Sequence, residues 1–122
     1  PTRGILITTR QPSVIEDNYF YGMQMSAILV ADDARSWFES GPVHNLTIRN
    51  NTFNRCAGST IWINPENRKK AGAVHRNITI ENNVFTLRSQ DDKPLVYDSV
   101  DNLKVKNNLV ISPNGETTKL SY

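Results

Sequence analysis

Four segments of this chain can be laid over one another without a gap, each centred on an asparagine: SVIEDNYF from Ser13, LTIRNNTF from Leu46, ITIENNVF from Ile78 and LKVKNNLV from Leu103. A repeat of this kind decides architecture before any single element is assigned. Apolar and polar residues alternate up to the asparagine, which is a period-2 strand with one face inward. Ile15, Ile48, Ile80 and Val105 then form one aliphatic column, and Phe20, Phe53, Phe85 and Val110 a mainly aromatic one. If the repeats stack as successive coils, Asn18, Asn51, Asn83 and Asn108 lie about 4.8 Å apart in a single file that can hydrogen-bond along its length. Asparagine also tolerates the left-handed backbone of a sharp corner, so these four asparagines are expected to make the turn.

A second strand follows each corner: Ala27 to Val30, Thr60 to Ile63 and Pro94 to Tyr97, with Gly4 to Ile7 supplying the same element for a coil whose first half is missing. The asparagine spacings of 33, 32 and 25 residues suit a minimal coil plus loops, the longest running from Asp33 to Val43 and from Pro65 to His75. Together these features predict an all-β, right-handed parallel β-helix of about three to four coils. A helical solenoid is excluded by the wealth of Val, Ile, Thr and paired Asn, all poor helix formers. A β-sandwich gives no reason to keep an asparagine at one register in every turn.

The 122 residues form one domain, 1–122, and read as a fragment of a longer chain, because the sequence opens Pro1-Thr2-Arg3-Gly4 and is strand-like from Ile5. Fourteen basic against twelve acidic residues leave a net charge of +2, which makes no footprint for nucleic acid. No apolar run approaches the ~20 residues of a membrane-spanning helix. Cys56 is the single cysteine, so no internal disulfide is possible. His44 and His75 are out of step by one residue, His44 aligning with Arg76 and Val43 with His75, and read as turn residues. No Cys/His cluster has metal-ligand spacing. The Asn-x-Thr triplets at Asn45, Asn50 and Asn77 arise from the repeat itself. A tube with open ends exposes strand edges, and end-to-end self-association of the isolated chain is expected.

In such a tube the loops and exposed strand ends are where function sits. With Ile7, Val30, Ile63 and Tyr97 aligned, Arg10, Asp33 and Glu66 fall three residues further on in successive coils. They form a charged cluster of mixed sign at one edge, with Asp32 beside Asp33. Both long loops start there, and the first carries Trp37, Phe38 and Glu39. An aromatic pair beside carboxylates is the makeup of a sugar-binding wall, and paired carboxylates can act as acid and base on a glycosidic bond. The same residues also suit a polar turn and a surface ladder of weak ion pairs.

The stretches Gly4 to Arg10, Ala27 to Asp33, Ser36 to Val43 (SWFESGPV) and Leu46 to Phe53 resemble glycoside hydrolase family 110. That resemblance implies an exo-acting α-galactosidase on a parallel β-helix, removing terminal α-1,3-linked galactose from glycans with inversion and without a cofactor or metal. It also implies that the catalytic pair falls on Asp32 and Asp33 and a further active-site glutamate on Glu66. Arg10, Trp37 and Glu39 remain as substrate contacts from the cluster and its loop, and a base activating water falls to Asp33 or Glu66. The family's members are several times longer than this chain, and the resemblance implies a periplasmic or secreted protein. Two rival readings stay open: a β-helix polysaccharide lyase, with Arg10 as its basic residue, and a non-catalytic glycan-binding or structural solenoid.

Overall fold

The computed structural model describes residues 4–7, 11–31, 43–56, 58–64, 75–97 and 100–121, with the backbone alone at Leu6, Ala31 and Asn64. All regular structure among them is strand. The strands are β1 (Ile5–Ile7), β2 (Ser13–Glu16), β3 (Tyr19–Tyr21), β4 (Ile28–Ala31), β5 (His44–Arg49), β6 (Thr52–Asn54) and β7 (Ser59–Asn64). They continue as β8 (His75–Glu81), β9 (Val84–Thr86), β10 (Lys93–Tyr97), β11 (Val100–Lys106), β12 (Asn108–Ile111) and β13 (Thr117–Leu120).

Three sheets, parallel throughout except at β13, run the length of the solenoid: sheet A in the order β1-β4-β7-β10, sheet B in the order β11-β8-β5-β2, and sheet C in the order β13-β12-β9-β6-β3. Each coil passes from B through C to A. The register is that of the repeat, with Ile15 opposite Ile48, Ile48 opposite Ile80, and Val105 opposite Ile80. These residues are buried, as are Leu46, Ile78, Ile28, Val30, Ile61 and Ile63, so the core is a pile of aliphatic layers. Phe20, Phe53 and Phe85 make the aromatic column, with near-parallel rings whose centroids are 5.0 and 4.9 Å apart. At that distance the rings are offset, the arrangement that aromatic quadrupoles favour.

The asparagine file also forms. Asn83 Oδ1 accepts from the backbone N–H (2.9 Å) and Nδ2 (3.1 Å) of Asn51, while Asn83 Nδ2 donates to Ile48 O and to Asn108 Oδ1, both at 3.0 Å. Asn51 and Asn108 repeat the pattern, and Asn51, Asn83 and Asn108 are buried. The turn itself is made one residue earlier than expected. Asp17, Asn50, Asn82 and Asn107 carry the left-handed backbone, with φ of 59°, 55°, 56° and 54°. The two positions divide the labour: the first bends the chain, and the second points inward and ties coil to coil.

A second, exposed file stands where β5, β8 and β11 begin. Asn45, Asn77 and Asn102 are also left-handed (φ 60°, 55° and 61°), Asn77 Nδ2 donates to Asn45 Oδ1 at 3.0 Å, and Asn102 Nδ2 to Asn77 Oδ1 at 2.8 Å. Outside sheet B, Glu16, Arg49, Glu81 and Lys106 follow one another in register with alternating sign. Arg49 Nε lies 2.9 Å from Glu16 Oε1, and this bond and charge hold the guanidinium further above its usual value. Such an exposed pair contributes little to stability.

The histidines keep the one-residue offset, His44 pairing with Arg76. They are strand residues, however, and not turn residues: His44 begins β5, and His75 begins β8 fully buried. His75 Nδ1 accepts the N–H of Val43 at 2.9 Å, which ties the end of one long connection to the next coil. Cys56 is buried as expected of a small apolar residue. Gly4 lies against the next coil, where an added Cβ would stand 2.3 Å from the carbonyl oxygen of Ala27.

At the C-terminal end the open tube expected from the repeat is partly closed. β13 turns back and pairs antiparallel with β12, Asn108 opposite Leu120, and so covers the edge of sheet C. The asparagine file ends on this strand, Asn108 Nδ2 donating to Leu120 O at 3.2 Å and Asn107 N to Ser121 Oγ at 2.8 Å. Glycine at 115, with φ of +90°, serves the hairpin turn.

Candidate functional site

Sheet A is the scaffold of the predicted site, and its register agrees with the alignment made from sequence. Ile7 pairs with Val30, Val30 with Ile63, and Tyr97 with Ile63. Beyond that row Ala31 faces Asn64, so β4 and β7 end as nearest neighbours. Neighbouring strands in a sheet are about 4.8 Å apart, and chain segments leaving Ala31 and Asn64 start from that separation.

The predicted site residues Arg10, Asp32, Asp33, Trp37, Glu39 and Glu66 lie outside the described residues. The connections that carry them are nonetheless concentrated at one place in the coil. Residues 8–12, 32–43 and 65–74 all join sheet A to sheet B, whereas the fourth coil makes the same passage with residues 98–99 alone. Val100, which sequence alignment put level with Arg10, Asp33 and Glu66, is already in β11 opposite His75. The edge rich in connections therefore spans the first three coils.

Among the described residues no group of three or more His, Cys, Asp or Glu stands together as a metal site. Two carboxylates there have structural duties. Asp92, buried in the corner before β10, accepts from Gly58 N at 2.9 Å and Ser89 N at 3.0 Å, with Arg88 Nε 3.6 Å away. Glu16 belongs to the ladder outside sheet B.

What the sequence reading missed is the outer face of sheet A. Ile61 and Ile63 point inward, so Trp62 between them points out and is 41% exposed. Leu29 is its neighbour on β4 and Val96 on β10. Beside Trp62 and Leu29 the surface sinks into a cavity of about 190 Å³, bordered by Gln24, Met25, Ser26 and Ser59. The signal for it was the same period-2 alternation that placed the core, read for the outward residue.

The family model for the right-handed β-helix region matches residues 2–110. Over 121 residues the chain is 57% identical to Alpha-1,3-galactosidase A of Bacteroides thetaiotaomicron, covering 99% of this chain and 21% of that protein. It is 54% identical over 89 residues to Alpha-1,3-galactosidase A of Peterkaempfera griseoplana, covering 71% of this chain and 12% of that protein. Alpha-1,3-galactosidase B of Akkermansia muciniphila is 42% identical over 120 residues, covering 89% of this chain and 15% of its own length. The chain thus spans about a fifth or less of the length of these curated relatives. Parallel sheets in three stacks, columns of identical side chains one coil apart and a family match over most of the sequence lead to one conclusion: this chain belongs to the right-handed β-helix family.

Proposed function

We infer that this chain is part of the catalytic solenoid of an exo-acting, inverting α-galactosidase that removes terminal α-1,3-linked galactose from glycans. The observation that carries this reading is 57% identity over 99% of the chain to a protein named Alpha-1,3-galactosidase A; exo action and inversion rest on the family resemblance of the Asp32-Asp33 pair and the SWFESGPV loop. In this reading Asp32, Asp33 and Glu66 are the catalytic carboxylates, while Arg10, Trp37 and Glu39 contact the sugar. The lining-up of Ala31 with Asn64 supports it, since Asp32 follows the first and Glu66 comes two residues after the second.

Inverting hydrolysis needs two carboxyl groups about 6.5–9.5 Å apart, leaving room for a water molecule. Backbones that start about 4.8 Å apart reach that range when their side chains diverge. A carboxylate, Asp33 or Glu66, takes a proton from water as its oxygen bonds to C1 of galactose. The bond from C1 to the bridging oxygen breaks, and a carboxylic acid protonates that oxygen as it leaves. The product is β-galactose. An acid supplied by a part of the protein beyond this chain is compatible with the scheme.

The glycan is met outside the cytoplasm, in the periplasm or after secretion. The isolated chain associates end to end through the edges of β1, β2 and β3. The activity is tested by measuring galactose release from an α-1,3-linked disaccharide by the full-length protein, with proton NMR to identify the first anomer formed. Asp33→Asn is expected to lower kcat by at least about a hundredfold. Unchanged kcat would remove Asp33 from the chemistry, and an α-anomer product would remove inversion.

A further inference from the structure

The strand alternation turns Trp62 outward, and beside it the outer face of sheet A forms a hollow. It is bordered by an indole, a thioether (Met25), an isobutyl group (Leu29), an amide (Gln24) and two hydroxyls (Ser26 and Ser59). None of these groups is charged. At about 190 Å³ the hollow is smaller than the ~300–1,000 Å³ of a site that encloses a whole small ligand. It suits one ring of a longer molecule.

An uncharged hollow with one flat aromatic wall and amide and hydroxyl groups at its rim offers little to a phosphate or a polyanion, which calls for cationic side chains or helix N-termini. It matches a neutral pyranose, whose C–H face packs on an aromatic ring and whose hydroxyls exchange hydrogen bonds with amides and hydroxyls. An indole gives that apolar face in a rigid, partly polar frame. The hollow lies on the same two strands as the proposed catalytic edge, toward the end at which β4 and β7 begin, where Gln24, Ser26 and Ser59 stand. Trp62 precedes Asn64 by two residues of extended strand, about 6.6 Å, and Leu29 precedes Ala31 by the same interval. A glycan laid along the strands from Trp62 would run toward the ends from which the chain continues to Asp32 and Glu66.

We propose that Trp62, with Gln24, Ser26 and Ser59, forms a second sugar subsite that holds a neutral sugar unit of the glycan beyond the galactose being removed. The proposal rests on the galactosidase reading for the identity of the glycan, and on the hollow itself for the binding. Trp62 is a substrate-binding residue in it and takes no part in bond breaking.

The test uses the full-length protein, its Trp62→Ala and Trp62→Phe variants, and two probes: the trisaccharide α-galactosyl-1,3-lactose and methyl α-galactoside. With Trp62→Ala, KM for the trisaccharide is expected to rise about three- to tenfold, the size of one aromatic contact. Trp62→Phe should recover most of this, and kcat/KM for methyl α-galactoside should stay within about twofold of wild type. Equal KM values for wild type and Trp62→Ala on the trisaccharide would overturn the subsite and leave the galactosidase reading intact. If no galactose is released but calorimetry shows trisaccharide binding that depends on Trp62, the galactosidase reading falls and the subsite stands. Binding of neither probe would end both. Acrylamide quenching that does not differ between wild type and Trp62→Phe would mean that another part of the protein covers this face, and would also overturn the subsite.

Discussion

Asn51, Asn83 and Asn108 of the inner file are buried amides whose side-chain oxygen and nitrogen are both engaged along the stack, and their removal strands groups on neighbouring coils. In Asn83→Ala the N–H of Asn51 and the carbonyl of Ile48 lose their partners inside the core. Each buried orphan costs about 1–3 kcal/mol, so a loss of about 2–4 kcal/mol is expected in urea unfolding. Asn77→Gly removes two exposed side-chain bonds but suits the left-handed backbone at φ 55°, and should change stability by no more than about 0.5 kcal/mol. Equal effects of the two would contradict the division between a buried and an exposed file. Cys56 gives a pH signature. Burial pushes its thiol up, against smaller opposing contacts from the backbone at Met23 and Asn54. The folded state therefore holds the proton more tightly than the unfolded chain. The contribution to stability is complete below the ordinary thiol value of about 8.5 and is lost as pH rises through the folded value. A Cys56→Ala variant should show a flatter fall in stability over that alkaline range, and alkylation of Cys56 by iodoacetamide should be slow until the protein is unfolded.

Among the elements, the corner before β10 depends on one carboxylate bridging two coils. Asp92 receives Gly58 N–H from the coil before it and Ser89 N–H from its own turn. Asp92→Ala leaves both donors without that partner and is expected to cost about 1–3 kcal/mol. Arg88→Ala, which removes only a 3.6 Å contact from a half-exposed guanidinium, should cost less than about 0.5 kcal/mol. Thermal unfolding of the two variants side by side checks the difference. The strands between corners were legible from alternation alone, because side chains at i and i+2 share a face. β13 was not, since Thr117 to Leu120 carries no asparagine register and no apolar pairing that would distinguish a returning strand from a further coil.

For the whole molecule, the two ends of the solenoid differ. At the C-terminal end the edge of sheet C is covered by β13, whereas β1, β2 and β3 are the outermost strands at the other. An exposed row of backbone donors and acceptors is a template for pairing. The isolated chain is expected to sediment as a concentration-dependent mixture of monomer and larger species, and a monomer at every concentration would contradict end-to-end pairing. The sandwich-like alternative fails at this scale for a simple reason: the parallel ladder partners are one coil, 23 to 34 residues, apart in the sequence, as in the pairing of Ile5 with Ile28 and of Lys93 with Ser59.

The candidate site was legible to the extent that strands set it out. Ile7, Val30, Ile63 and Tyr97 stack as their alternation required, while Asp32, Asp33 and Glu66 follow them on connections whose course a repeat pattern does not specify. The sequence by itself determined the coil, the inward columns at Ile15 and Phe20, and the file at Asn18, because a period of two fixes the face and a recurring asparagine fixes the level. Only the tertiary structure decided which neighbour in each corner pair bends the chain, that His75 is inside, that Trp62 borders a hollow, and that β13 turns back. Those outcomes depend on what the adjacent coil presents across a few ångströms, and residues some thirty places apart acquire that relation only when the chain has wound.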